Sequence, residues 1–323
     1  MKLYFDLLIS IGIVTTVLPA IILLYSSLRR KKSWEYKRKK TARLLVIVLL
    51  LGTITLLYGS FVESTLLITN RQTIDIVGIE KTITIAFVTD FQVGPYKKTK
   101  HIEHVVSRIL SLKPDLVLIG GDHVDNADMD EDETKYLEPL KKLVDAGIPV
   151  YAIHGNHEYG VNKGKGIQNP NFRIGNVSAR VKQYMENIGV LYLVNDLTIV
   201  TIHGQEIAIF GGDSYWADNL SFDSLEDIID VPTIGLIHNP AAAWITAKED
   251  IDLMLSGHTH GGQIRLPFIG PLGRVDDIIP AKWYQGLNNI DEDTQLFVTS
   301  GTGETGTRAR LFNPPEVVLL TIE

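Results

Sequence analysis

Residues 83–92 read ITIAFVTDFQ, residues 116–125 read LVLIGGDHVD and residues 150–158 read VYAIHGNHE. Each opens as a short run of β-branched and aliphatic residues, the pattern of a strand buried on both faces. Each closes on residues that carry chemistry rather than packing. These are Thr89-Asp90-Phe91-Gln92, Gly120-Gly121-Asp122-His123-Val124-Asp125 and His154-Gly155-Asn156-His157-Glu158. Between them, residues 102–112 have helical apolar spacing. Residues 137–146 read as a second helix, closed by Gly147, with Pro139 tolerable in its first turn. Strand and helix in repeated alternation predict a sheet with helices packed against it.

The pattern continues outward. Residues 181–188 read as a helix and residues 190–194, 197–202 and 206–210 as strands. Short apolar strands at 233–237 and 253–255 flank a helix over 241–247, and strands at 296–299 and 317–322 close the chain. The early part alternates and the later part is richer in strands, so the expected fold is α/β, a layered sandwich around mixed sheets. Two further strand ends carry ligand-type residues: His238-Asn239-Pro240 and Ser256-Gly257-His258-Thr259-His260-Gly261-Gly262.

In layered α/β folds the loops at strand C-termini converge on one crevice. Here that convergence would deliver Asp90, Gln92, Asp122, Asn156, His238, His258 and His260 to one place. Carboxylates, amide oxygens and neutral imidazoles without thiolate suit Mn, Fe, Zn or Mg. A ligand set of this size suits two ions sharing one carboxylate, the arrangement that clamps both oxygens of an in-line displacement at phosphorus. His258 and His260, one residue apart at a strand end between glycines, point the same way from an extended chain. The isolated His101, His104, His154 and His203 read instead as surface or core residues. Asp125–Glu133, an acidic run, lacks the central glycine of a calcium loop and reads as solvated.

The motifs D-x-Q, G-D-x-x-D, G-N-H-E, an isolated His and G-H-x-H occur in that order over residues 90–260. In this the chain resembles the calcineurin-like metallophosphoesterase superfamily over nearly all of residues 80–323. Residues 261–271 (GGQIRLPFIGP) and 310–322 (RLFNPPEVVLLTI) resemble its membrane-anchored bacterial branch, some members of which are assigned to UDP-2,3-diacylglucosamine or other phosphodiester hydrolysis. The resemblance implies a four-layer α/β/β/α sandwich. It implies that Asp90 and His260 bind a first metal, that Asp122 bridges, and that Asn156, His238 and His258 bind a second. His157 would be the catalytic residue that contacts the phosphate or protonates the leaving oxygen, and Asp125 and Glu158 would orient ligands. Gln92 departs from the pattern, which has His there. An amide oxygen is a harder and weaker ligand than imidazole, which shifts the expected preference toward manganese or magnesium.

Gly301-Thr302-Gly303-Glu304-Thr305-Gly306 fits a dinucleotide-binding fingerprint, but Pro314-Pro315 follow where that fold needs a helix. A backbone-rich turn near the metal pocket is expected, with Arg308 and Arg310 as candidates for substrate phosphate or for ion pairs.

Two uncharged apolar runs, Leu7–Leu28 and Leu44–Val62, precede the catalytic region. Both are long enough to cross a bilayer, and the first is too long for a usual signal peptide. Residues 29–43 between them carry a net charge of +8, which places that loop in the cytoplasm and the remainder of the chain outside. The expected organisation is a membrane anchor over 1–69 and a phosphoesterase domain over 70–323. The chain carries −7 overall, so everything beyond residue 43 carries −15 and nucleic acid is excluded as a partner. With no cysteine, disulfides, thiol catalysis and iron–sulfur clusters are excluded as well.

The expected activity is hydrolysis of phosphodiester or pyrophosphate bonds by a hydroxide activated at a dinuclear site, acting in lipid metabolism on a lipid-linked or envelope substrate. Leu266, Phe268, Ile269, Trp283 and Tyr284 are candidates for an apolar rim that meets an acyl chain. The alternatives are a phosphatase or phosphodiesterase for soluble substrates, and a catalytically weakened metal-binding scaffold.

Overall fold

In the computed structural model, which describes residues 2–125, 131–161, 175–225, 231–306 and 308–323, two mixed six-stranded sheets face one another. The first runs β1 (Ile68–Ile74), β14 (Glu316–Ile322), β2 (Ile83–Val88), β3 (Leu116–Ile119), β4 (Val150–Ala152) and β5 (Leu191–Tyr192). The second runs β12 (Gly286–Asn289), β13 (Gln295–Val298), β9 (Leu253–Ser256), β8 (Thr233–Leu236), β7 (Gln205–Gly211) and β6 (Asp196–Ile202). Strands β2 to β5 are parallel, as are β7, β8, β9 and β13. A small hairpin of β10 (Arg265–Leu266) and β11 (Gly270–Pro271) stands apart from both sheets.

The layering follows from side-chain alternation along each strand. Ile83, Ile85 and Phe87 of β2 and Leu116 and Leu118 of β3 point inward and meet Ile209, Leu236, Leu255 and Phe297 of the second sheet. Their neighbours Ala86, Val88, Val117 and Ile119 point outward against Ile102, Val105, Val106 and Ile109 of the helix Thr99–Leu112, and against Val181 and Met185 of the helix Ser178–Asn187. On the far side Phe210, Met254, Leu296 and Val298 meet Ala241, Ala242, Trp283 and Tyr284. The result is the α/β/β/α order. Phe87 is fully enclosed between the sheets, so truncating it to alanine costs about 3–5 kcal/mol.

Three elements differ from the sequence reading. Residues 137–146 do not form one helix: Thr134–Leu140 is a 3-10 helix and Lys141–Asp145 an α-helix. Pro139 has no N–H for an i→i−4 bond, and its ring opposes the α-helical path. The strand expected at 190–194 shrinks to Leu191–Tyr192 at the sheet edge. Strand β1 was not foreseen, because an edge strand reading ITNRQTI buries only Ile74 and shows no apolar alternation. The acidic run falls partly on residues outside those described.

Two long apolar helices precede β1. Lys2–Arg29 packs against Lys39–Leu57, with Thr53 Oγ1 donating to Thr16 Oγ1 at 2.8 Å and the Leu56 side chain against Gly12. The second continues through a π-turn at Tyr58–Val62 and a 3-10 turn at Glu63–Thr65. Both are long and apolar enough to cross a membrane, and their apolar stretches are only 11% and 22% buried. A core helix of a soluble domain would be mostly covered.

The register places these helices relative to the sheets. Strand β1 runs parallel to β14 and β14 antiparallel to β2, with Val318 opposite Phe87. The starts of β1 and β14 therefore lie at the edge where β2, β3 and β4 end. The second apolar helix enters the domain at that edge.

Candidate metal centre

The loops after β2, β3, β4, β8 and β9 meet at this same edge. Every ligand-type residue expected from the sequence is there and buried: Asp90, Gln92, Asp122, Asn156, His157, His238, His258 and His260. Asp122 is central. His238 Nε2 lies 3.2 Å from its Oδ2, His157 Nε2 lies 3.8 Å from the same oxygen, and Gln92 Nε2 donates to it at 3.0 Å. Asp90 Oδ1 stands 3.5 Å from His260 Nε2 and 4.0 Å from His238 Nε2.

Two triads have one ligand atom from each member within 4.8 Å of the others: Asp122, His238 and His258, and Asp90, Asp122 and His260. Asp122 belongs to both. A buried carboxylate shared between two such sets matches a pair of cations with one bridging ligand. Among the described residues, His258 Nε2, His260 Nδ1 and Gln92 Oε1 are buried without a hydrogen-bond partner. Orphaned polar atoms this deep are costly unless something else satisfies them. A pair of divalent ions would do so, and the donors fit that role.

The second ring nitrogens are already committed. His238 Nδ1 bonds the Gly120 carbonyl at 2.7 Å, His258 Nδ1 the Asn156 Oδ1 at 2.9 Å, and His157 Nδ1 the Asp125 carbonyl at 2.6 Å. With Nδ1–H donating, Nε2 turns into the site, the arrangement that fixes tautomer and ring orientation in metal-binding histidines.

Charge follows the same geometry. Burial lowers His258 and His260 below the ordinary imidazole range and keeps them neutral, as ligands must be. Burial also opposes charge on His238, but Asp122 and Asp90 outweigh it and push it up to about 9. Burial likewise works against His157, and Asp122 and Asp125 raise it nonetheless. Burial disfavours charge on Asp122, yet His238 and His157 hold its carboxyl below the usual range.

The glycines of the motifs have a steric cause. A Cβ on Gly155 would lie 2.1 Å from Asp122 Oδ1, and one on Gly257 would lie 2.4 Å from Asp90 Oδ2. Backbone from neighbouring loops runs against the carboxylates and leaves no room for a side chain. Asp90, Gln92, Asp122, His258 and His260 themselves adopt positive φ, between 47° and 66°. Strained backbone concentrated on five candidate ligands is characteristic of a site held in shape by its surroundings.

Glu158 supplies much of that hold. Its carboxylate is fully buried and accepts from the backbone N–H groups of His123 at 2.6 Å, Gly155 at 2.7 Å, Asp122 at 3.3 Å and Val124 at 3.4 Å. It ties the loop after β3 to the loop after β4. Burial and Asp122 push it up to about 7, while the Gly155 and His123 donors work the other way.

Some expectations about neighbouring residues hold and others change. Arg310 is fully buried and donates to the carbonyls of Ser300, Gly301, Gly303 and Asn313, so it organises the 301–306 turn and does not face substrate. Arg308 stacks over Tyr96 at 4.8 Å. The 301–306 turn packs on the loop carrying Asp90, as expected of a turn near the metal pocket, with Gly303 N–H donating to the Asp90 carbonyl at 2.6 Å; among the described residues no helix follows it. Trp283 and Tyr284 lie in the core, whereas Phe268 and Ile269 are exposed. His123 and His154 are neutral, pushed by burial to about 3, and share the Tyr192 hydroxyl behind the site.

Two contacts were not foreseen. The Thr89 hydroxyl donates to Asp90 Oδ2 at 2.8 Å, and the Trp216 ring stands edge-on to His258 with centroids 4.1 Å apart. Trp216 follows β7, so the strand-end pattern that carries the candidate ligands extends to it. An indole is not a ligand type, and its sequence context gives no sign of the contact.

A family model, the calcineurin-like phosphoesterase model, matches residues 83–262, more than half of the chain. The phosphodiesterase YaeI of Escherichia coli (strain K12) is 29% identical over 239 residues, which cover 74% of this chain and 81% of that protein. An uncharacterized metallophosphoesterase of Campylobacter jejuni is 28% identical over 89% of this chain and 73% of its own length. The uncharacterized metallophosphoesterase YkuE of Bacillus subtilis (strain 168) is 29% identical over 73% of this chain and 77% of its own.

Proposed function

The chain belongs to the calcineurin-like phosphoesterase family, and from that premise we propose that it is a membrane-tethered phosphodiesterase working on lipid-linked or envelope phosphates. As a member it is a metallophosphoesterase, a phosphoric ester hydrolase, and its substrates are phosphate esters. The observation that carries the reading is Asp122, one buried carboxylate common to two ligand triads.

In this reading Asp90, Gln92 and His260 would hold one ion, Asn156, His238 and His258 would hold the other, and Asp122 would be shared by both. Bound divalent ions supply Lewis acidity toward phosphoryl oxygens and acidify a water. With two amide oxygens and no thiolate in the set, manganese is the proposed metal over zinc, iron or magnesium. His157 Nε2 stands 3.8 Å from Asp122 Oδ2, beside both triads. Its Nδ1 is tied to the Asp125 carbonyl, which leaves Nε2 free to carry the proton that substrate needs. From there it donates to a phosphoryl oxygen as charge builds, and passes the proton to the departing alkoxide.

The tether is supported by the two exposed apolar helices and by the +8 segment between them. We place that loop in the cytoplasm and the catalytic domain across the membrane. A domain boundary near residue 69 goes with this reading. Lipid-linked substrate is favoured over a soluble ester because the site lies at the edge where the second helix enters.

The test uses the full chain in detergent, a chromogenic phosphodiester, and Mn²⁺ added or withheld, beside His157→Ala. Metal-dependent turnover that the variant loses is expected. A folded protein that binds two ions and turns over no ester would leave a metal-binding scaffold instead. Equal preference for soluble and bilayer-embedded esters would remove the lipid assignment alone.

A further inference from the structure

We infer that the β10–β11 hairpin is a membrane-docking prong, whose tip Phe268-Ile269 enters the bilayer interface beside the metal site. This rests on the reading that the two apolar helices cross that bilayer.

The first observation is exposure without a partner. Phe268 is fully exposed and Ile269 is 71% exposed, at the tip of a hairpin outside both sheets. Leu272, Ile278 and Phe312 are exposed nearby in the chain or on the adjoining strand. Phe268 also takes a positive φ of 67°, unfavourable for an aromatic residue, with its ring turned away from the protein. A contiguous apolar tip of this kind marks an interaction surface.

The second observation says what covers it. Arg310 N–H donates to the Gly59 carbonyl at 3.0 Å, at the end of the second apolar helix. One residue later, the Leu311 carbonyl accepts from Arg265 N–H at 2.9 Å, at the base of the hairpin. Leu311 N–H donates in turn to the Gln263 carbonyl at 3.1 Å. The hairpin is thus fastened through one short segment to the point where the helix leaves its apolar stretch. Phe61, Val62 and Leu66 at that helix end are exposed as well. A tip fixed here meets the same surface that the helix crosses.

The third observation is chemical. The sequence RLPFIGPLGR places Arg265 and Arg274 on either side of the apolar tip, and Lys282 lines the adjoining groove. Arg274 and Lys282 are exposed, with Asp277 the exposed acid on the same stretch. The Arg265 guanidinium donates to the Gly261 carbonyl at 2.8 Å and braces the base of the hairpin, while Arg274 and Lys282 beside the apolar tip suit the phosphates of a lipid headgroup boundary. The hairpin begins just after His260, whose carbonyl accepts from Asn313 Nδ2 at 2.6 Å, while Glu63 accepts from Asn313 N–H. Docking would hold the candidate metal site at the lipid surface.

The chain has no cysteine, so one introduced thiol takes a label uniquely. Phe268→Cys, Ile47→Cys in the exposed middle of the second apolar helix, and Val77→Cys at the far end of β1 would each carry an environment-sensitive fluorophore. The full-length protein is reconstituted into phosphatidylcholine–phosphatidylglycerol vesicles with and without spin-labelled lipid. The expected result is a blue shift and a loss of fluorescence at 268 approaching that at 47, with neither at 77. Quenching at 47 but not at 268 would overturn the prong and leave the membrane reading standing. Absence of quenching at both would overturn both. A blue shift at 268 that lipid quenchers leave untouched, and that dilution abolishes, would assign the tip to a second copy of the chain and overturn the proposal.

Discussion

Replacing Glu158 by glutamine should loosen the metal centre without touching a candidate ligand. Above about pH 7, where Glu158 is ionised and where the comparison is made, the side chain keeps its size and loses its charge. One oxygen accepts from His123 at 2.6 Å and Val124 at 3.4 Å, and the other from Gly155 at 2.7 Å and Asp122 at 3.3 Å. Glutamine has a single oxygen, so one of these pairs must face an NH₂ group. The short bond of that pair goes to a charged acceptor, and losing it strands a buried N–H at a cost of about 1–3 kcal/mol, toward the upper end for a charged partner. Taking about 3 kcal/mol, and about 2–4 °C per kcal/mol for a domain of this size, the melting temperature should fall by about 6–12 °C. Metal affinity should fall with it, because the lost bonds fix the loops carrying Asp122 and Asn156. Thermal unfolding of the full chain in detergent, with calorimetric titration of Mn²⁺ at a temperature where both proteins are folded, measures the two effects. A Glu158→Gln variant that melts with the parent and binds metal equally would refute the argument that this carboxylate clamps the site.

Loss of the His157 ring in His157→Ala should lower kcat on a phosphodiester by about 10²–10³, the usual cost of one transition-state donor, with metal content by mass spectrometry unchanged. Metal uptake should release protons. His238 in the metal-free protein sits at about 9, so it is charged near neutral pH and must lose its proton to ligate. Affinity should therefore climb as pH rises toward that value and level off beyond it, and titrations in buffers of different ionisation enthalpy should count about one proton released per protein at neutral pH. Gln92→His should slow metal loss during dialysis and shift preference toward zinc, since imidazole is the softer and stronger ligand; unchanged retention would place Gln92 outside the coordination sphere. Gly257→Ala should abolish activity, because the added methyl would overlap Thr89 Oγ1 and Asp90 Oδ2 at 2.3 and 2.4 Å.

Local chemistry determined a large part of this protein in advance. Apolar runs too short for helices and ending in Asp, Asn or His identify both the strands and the loops that carry candidate ligands. Periodicity and ligand type are properties of neighbouring residues, and a chain read linearly exposes them. The exposed apolar runs before residue 63 were legible for the same reason. Legibility failed where the cause lies across the fold. Strand β1 is polar and is a strand because β14 lies beside it. Trp283 and Tyr284 resemble a lipid-facing rim in sequence, and the second sheet buries them. Arg310 resembles a phosphate ligand and instead satisfies the carbonyls of Ser300, Gly301 and Gly303, in a turn that no local pattern brings to it. That Asp122 stands between two triads, and that the site opens at the edge where the apolar helix enters, depends on strand order and register. Those are settled by pairing between segments far apart in the chain, where the free energy belongs to the contact and to neither segment alone.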